Sequence, residues 1–145
     1  MYEVLNFNIP KVLLINPPDS FKMCLPKMQG EVKFYIVEKP REGLQIAHNN
    51  DIDVIVLFAD NTENKDSDVV GLSLQFKQSM VTRDIPVLLM TAELPLPKSM
   101  SCLNFCGLNH LQMDSTVQVF MTKVNQLSTH FRHAQNHEST FKDKI

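Results

Sequence analysis

Four short runs constrain the fold of this chain more than any other feature: Lys11-Val12-Leu13-Leu14-Ile15, Val32-Lys33-Phe34-Tyr35-Ile36-Val37, Val54-Ile55-Val56-Leu57-Phe58 and Ile85-Pro86-Val87-Leu88-Leu89-Met90. Each has the length of a strand, and three of the four are continuously apolar and rich in β-branched residues. Successive side chains of a strand point to opposite faces, so a run with no polar alternation must be covered on both. The intervening segments supply the cover. Arg41 to Asn49 places Leu44, Ile46 and Ala47 in a short helix, and Asp68 to Met80 spaces Val69, Leu72, Phe76 and Met80 three or four apart, with Asp68 as its cap. Gly30, Pro40 and Pro86 mark element boundaries. Strand and helix in alternation predict a parallel sheet with crossover helices, a three-layer α/β domain.

The last third predicts a short helix from Lys98 to Phe105, a fifth strand from Leu108 to Leu111 and a long helix from Ser115 onward. In that helix Val117, Phe120, Val124, Leu127 and Phe131 recur at spacings of 3, 4, 3 and 4, a stripe able to face a sheet or a partner helix. From His130 the sequence turns polar. The expected organisation is one domain over residues 1–129 followed by a polar tail or linker, 130–145. Pro26 falls six residues after Ser20, so a first helix starting at Asp19 or Ser20 is expected to be short or broken.

Asn50-Asp51-Ile52-Asp53-Val54-Ile55-Val56-Leu57 before and within the third strand, Gly71-Leu72-Ser73-Leu74, Ile85-Pro86-Val87-Leu88-Leu89-Met90-Thr91-Ala92 and Gly107-Leu108 occur in the order and spacing of a known pattern. Over about Lys11 to Leu127 the chain resembles the receiver domain of bacterial response regulators in two-component signalling. The resemblance implies a flavodoxin-like (CheY-like) three-layer α/β/α domain with a five-stranded parallel sheet of order 2-1-3-4-5. Receivers transfer a phosphoryl group to an aspartate beside a divalent cation held by further carboxylates. Here the positions matching the two acids after the first strand hold Asn16 and Pro17, and the acceptor position at the end of the third strand holds Phe58. The family's lysine after the fifth strand falls near Met113 or Asp114, and its aromatic switch position near Leu111. Thr91 alone is kept. The resemblance therefore implies a degenerate pseudo-receiver, without cofactor or catalysis. Asp60, two residues past the acceptor position, and Asp19 leave an atypical phosphorylatable receiver as an alternative. The loop from Ala59 to Asp68 is longer than the family's, acidic and rich in amides.

The same resemblance points to a protein partner, an output domain or a second copy as the target of the fourth helix, fifth strand and fifth helix. The matching apolar positions are Met100, Leu103, Phe105, Leu111, Val117, Phe120, Val124 and Leu127. A net charge of −2, from 14 basic and 16 acidic residues, gives no basic field for nucleic acid. No apolar run approaches a bilayer span, and three cysteines without CxxC spacing (Cys24, Cys102, Cys106) fit reduced thiols, so a cytoplasmic protein is expected. His130, His133 and His137 share a helical face, yet no acid or thiol at fixed spacing completes a metal shell. Asn16-Pro17-Pro18-Asp19 lacks the glycines and N–H donors of a phosphate loop. Those prolines also weaken the enzyme-class rival, a flavodoxin-like mononucleotide site.

Overall fold

The computed structural model describes residues 9–59, 74–80, 82–91, 109–112 and 115–143. The elements in chain order are β1 (Lys11–Ile15), α1 (Asp19–Lys22), a 3-10 turn (Leu25–Met28), β2 (Lys33–Val37), α2 (Pro40–Asn49), β3 (Val54–Ala59), α3 (described over 74–78), β4 (Val87–Thr91), β5 (Asn109–Gln112) and α4 (Val117–Asp143). The five strands form one sheet of order β2-β1-β3-β4-β5, and every ladder in it is parallel. The architecture is the flavodoxin-like, CheY-like α/β fold expected from the sequence.

Alternation along the strands divides the core in two. Leu13 and Ile15 of β1, Ile55 and Leu57 of β3, and Val87 and Leu89 of β4 face one way, where Ala47 of α2 and Phe76 of α3 close over them. Val12, Leu14, Val54, Val56, Phe58, Leu88 and Met90 face the other way, against Met28 of the 3-10 turn and Phe120, Met121 and Val124 of α4. The central strands are sealed on both sides: Leu13, Leu14, Val54, Ile55, Val56 and Leu88 are all 0% exposed. Helix α2 lies so close to β1 that a Cβ built on Gly43 would stand 2.7 Å from Ile15 Cδ1.

Element ends follow local chemistry. β1 stops at Asn16, whose φ of 55° is a left-handed conformation that asparagine tolerates, and whose N–H donates to Val37 O at 2.8 Å. β4 begins at Val87, two residues later than the apolar run, because Pro86 brings no N–H to a ladder and the Ile85 N–H turns back to Thr82 O at 3.0 Å. The first helix is short, as expected: α1 ends after one turn and the chain continues as a 3-10 turn with proline near its start. The expected boundary between residues 129 and 130 falls inside α4, where Phe131 packs on the first cluster and Arg132 bonds to Asp53. The segments 60–73 and 92–108, with the acidic loop and the expected helix from Lys98 to Phe105, lie outside the described residues.

Thr82, 0% exposed, donates its hydroxyl to Phe76 O at 2.7 Å and so closes the turn between α3 and β4. In Thr82→Val that carbonyl loses its buried donor. The expected loss of stability in urea unfolding is about 1–2 kcal/mol, and no loss would mean that water reaches the carbonyl.

Candidate functional site

In open parallel α/β sheets ligands bind beyond the carboxyl ends of the strands, where the strand order reverses. In this chain the reversal lies between β1 and β3, so the site to inspect is formed by residues 16–24, the ends of β3 and β4 and the start of α4.

Phe58 sits at the end of β3, opposite Met90 of β4 in the ladder, and is 6% exposed. Its register sends the ring to the side of Val54 and Val56, toward α4. Phe21 of α1 packs edge-on against it, with ring centroids 4.9 Å apart and planes at 62°. Phe120 of α4 meets Phe21 in the same manner at 5.1 Å and 75°. Such edge-to-face pairs add to the stabilisation of burial alone. Three segments distant in sequence thus close this end of the sheet with a file of aromatic rings. Between Phe21, Cys24, Met28, Met90 and Phe120 a cleft of about 100 Å³ remains, rimmed by Ser20, Ser115 and Thr116.

The remaining expected site residues do not gather there as a polar set. Asn16 is exposed in its left-handed turn, and Pro17 is buried without a donor atom. Thr91 stands at the end of β4, in register with Ala59. Asp19 has a fully exposed side chain 4.0 Å from Lys22, which also lies 3.9 Å from Glu38. Asp60 and Met113 lie outside the described residues. Among the described residues no three acids, histidines or cysteines are grouped to hold a metal ion. A divalent cation does not fit the described part of this site, because Asn16, Pro17 and Phe58 offer an amide, a pyrrolidine ring and a phenyl ring in place of a set of carboxylates. The rings pack against one another and offer neither a nucleophile nor a proton donor.

The stripe on the long helix needs a correction. Phe120 and Val124 are 2% and 0% exposed within the core, so these two residues do not form an open interface, while Val117, Leu127 and Leu111 are half-buried and pack against the same cluster. Among the described side chains of α4, residues 117–132, the exposed face is polar apart from Val119, which is 46% exposed. Met100, Leu103 and Phe105 lie outside the described residues, as do Cys102 and Cys106. Cys24 is half-buried, with Sγ directed at Ser20 O at 3.7 Å. Among the described residues no helix is long and apolar enough to cross a membrane. Sequence reasoning did not single out Phe21. The available signal was its place between Pro17-Pro18 and Pro26, which confine the helix that carries it to a short span.

No family model matches the chain, and no curated protein matches it. Its fold is that of many solved receiver domains. The signal receiver domain of an HD domain-containing protein from Pseudomonas fluorescens superposes with a TM-score of 0.70 at 14% identity, covering 89% of this chain and 93% of that one. An adenylate cyclase from Rhodopirellula baltica gives 0.71 at 14% identity, covering 92% and 98%. The receiver domain of a sensor histidine kinase from Pseudomonas aeruginosa, described with magnesium coordinated in its active-site cleft, gives 0.67 at 12% identity, covering 83% and 98%. At these identities the likeness establishes the fold.

Proposed function

We propose that this chain is a signalling module on the receiver fold that acts by protein recognition and transfers no phosphoryl group. The observation that supports the reading is the packing of Phe58, which the receiver resemblance puts at the acceptor position of β3, against Phe21, with Phe120 behind it. Phosphoryl transfer to a receiver needs a carboxylate nucleophile, a cation to neutralise the developing charge, and an open approach for the donor. Phe58 supplies no oxygen, Asn16 and Pro17 supply no carboxylate, and the ring of Phe21 covers the approach. What the fold keeps is a sheet that presents helices and strand ends, the surfaces on which a protein partner would be recognised.

The partner is a protein, an output domain or a second copy. With Phe120 and Val124 committed to the core, its contacts on α4 fall on the outward residues around Val119, and the apolar residues Met100, Leu103 and Phe105, outside the described residues, are the further contact set that the resemblance implies. Nucleic acid and membrane are not its targets. A mononucleotide is disfavoured by Pro17 and Pro18, which leave few N–H donors at the strand-order reversal.

The test is intact-mass spectrometry after incubation with a small phosphodonor and Mg²⁺. An unmodified chain is the expected result. A phosphoryl adduct on Asp60 or any other acid overturns the reading and favours the atypical phosphorylatable receiver.

A further inference from the structure

Strand β2 is an edge of the sheet and pairs with β1 on one side only. Lys33 donates its N–H to Pro10 O at 2.9 Å, and Val37 O accepts the Asn16 N–H at 2.8 Å, which fixes the parity of the ladder. In a parallel ladder alternate residues direct both backbone groups at the same neighbour. Lys33, Tyr35 and Val37 therefore bond to β1, while the N–H and C=O of Phe34 and Ile36 point away from the sheet. No described residue pairs with them. The side chains do little to defend this edge. Ile36 is 44% exposed, Phe34 and Tyr35 are half-buried, and the single charge within the strand, Lys33, holds its Nζ over the Tyr35 ring at 5.3 Å from the centroid. Open backbone groups beside exposed apolar side chains make an edge a template for a further strand.

We propose that β2 docks a second copy of this chain, the two β2 strands running antiparallel about a two-fold axis at Tyr35. Charge selects both the occupant and the register. Outward-facing backbone groups must meet outward-facing ones, which leaves the axis at Phe34, Tyr35 or Ile36 as the registers with substantial overlap. With the axis at Ile36, Lys33 of each copy stands opposite Lys39 of the other, two like-charged contacts. With the axis at Phe34, Glu31 faces Val37 and Lys39 faces Gln29, and no charge is matched. With the axis at Tyr35, Glu31 of each copy faces Lys39 of the other, and symmetry makes the contact twice.

The same register overlaps the whole of Lys33 to Val37, sets Phe34 against Ile36 with both backbone groups exchanged, and brings the two Tyr35 rings together at the axis. The exposed Ile36 gains an apolar neighbour on its own face of the sheet. Glu31 and Lys39 are exposed and form no ion pair with a described residue, so both are available. This edge is separate from the aromatic file and from α4, and the pairing holds whether or not the chain accepts a phosphoryl group. A strand of five residues makes a small interface, so the dimer is concentration-dependent.

Sedimentation equilibrium on the full chain over a concentration series tests the proposal, with residue-resolved amide exchange by NMR to locate the contact. The parent is expected to dimerise. Glu31→Lys and Lys39→Glu each set like charges at both ends of the paired strands and are expected to weaken the dimer at least about tenfold. An equal mixture of the two variants restores association, because every cross-strand pair is then opposite in sign. Both positions are exposed, so the variants keep the fold. On dilution the Phe34 and Ile36 amides of the parent exchange faster, while those of Lys33 and Tyr35 keep their protection. A parent chain that stays monomeric overturns the proposal, as does a dimer indifferent to the two reversals or not recovered by mixing. Protection of Phe34 and Ile36 at every dilution also overturns it and would assign the edge to residues 1–8 of the same chain.

Discussion

Phe58→Ala is expected to lower the free energy of unfolding by about 3–5 kcal/mol, read from equilibrium urea denaturation. The ring is 6% exposed and sits between β3 and the edge of Phe21, and Phe21 in turn leans on Phe120. Removing it takes the β3 member from the ring contacts that join β3 to α1 and, through Phe21, to α4. Because α1 is one turn long and followed by a 3-10 turn, it has little internal stability with which to hold Phe21 in place. A domain of this size has about 5–15 kcal/mol in total, so the variant would be marginally folded. Phe58→Leu keeps most of the apolar area and should lose much less. Phe58→Asp restores the residue type that a phosphorylatable receiver has here, yet it should be less stable than Phe58→Ala. Its carboxylate would face the Phe21 ring with no cation beside it among the described residues. A Phe58→Asp chain as stable as the parent would mean that this end of the sheet is open and polar, and the reading of a filled acceptor site would fail.

The sheet was legible because burial on both faces writes itself into the sequence as unbroken apolar runs such as Val54 to Phe58, short and rich in β-branched residues. The strand order followed from the receiver resemblance. Pro26 announced the shortened first helix for a reason confined to one residue. The site was legible only as a set of losses. Asn16, Pro17 and Phe58 could be seen to lack the required oxygens, but nothing local in the sequence says that Phe21 and Phe120 come together over Phe58. Contact between aromatic rings on separate elements is set by the twist and register of the sheet, and periodicity carries no information on either. The pair of Asp53 and Arg132 was hidden in the same way. Asp53 lay inside a strand-entry motif and Arg132 inside a polar stretch with three histidines nearby, and each had an ordinary local explanation.

The stripe on α4 shows a different limit, since a helix that packs on a sheet and one that packs on a partner helix both need apolar residues three and four apart. Val117, Phe120, Val124 and Leu127 satisfy both, and burial decides between them. Val124→Asp is therefore expected to unfold the monomer rather than to break an assembly. Val124 is 0% exposed against the strands of the second cluster, so the new carboxylate would be buried without a partner. The expected loss exceeds about 4 kcal/mol in urea denaturation. Val119→Asp on the same helix starts from a side chain 46% exposed and should stay within about 0.5 kcal/mol of the parent. Sedimentation velocity on both variants completes the comparison. If the chain self-associates through the outward face of α4, Val119→Asp weakens that association while leaving the fold intact. A Val124→Asp chain that remained folded and lost only its self-association would return the stripe to a partner-facing role and require α4 to sit differently on the sheet.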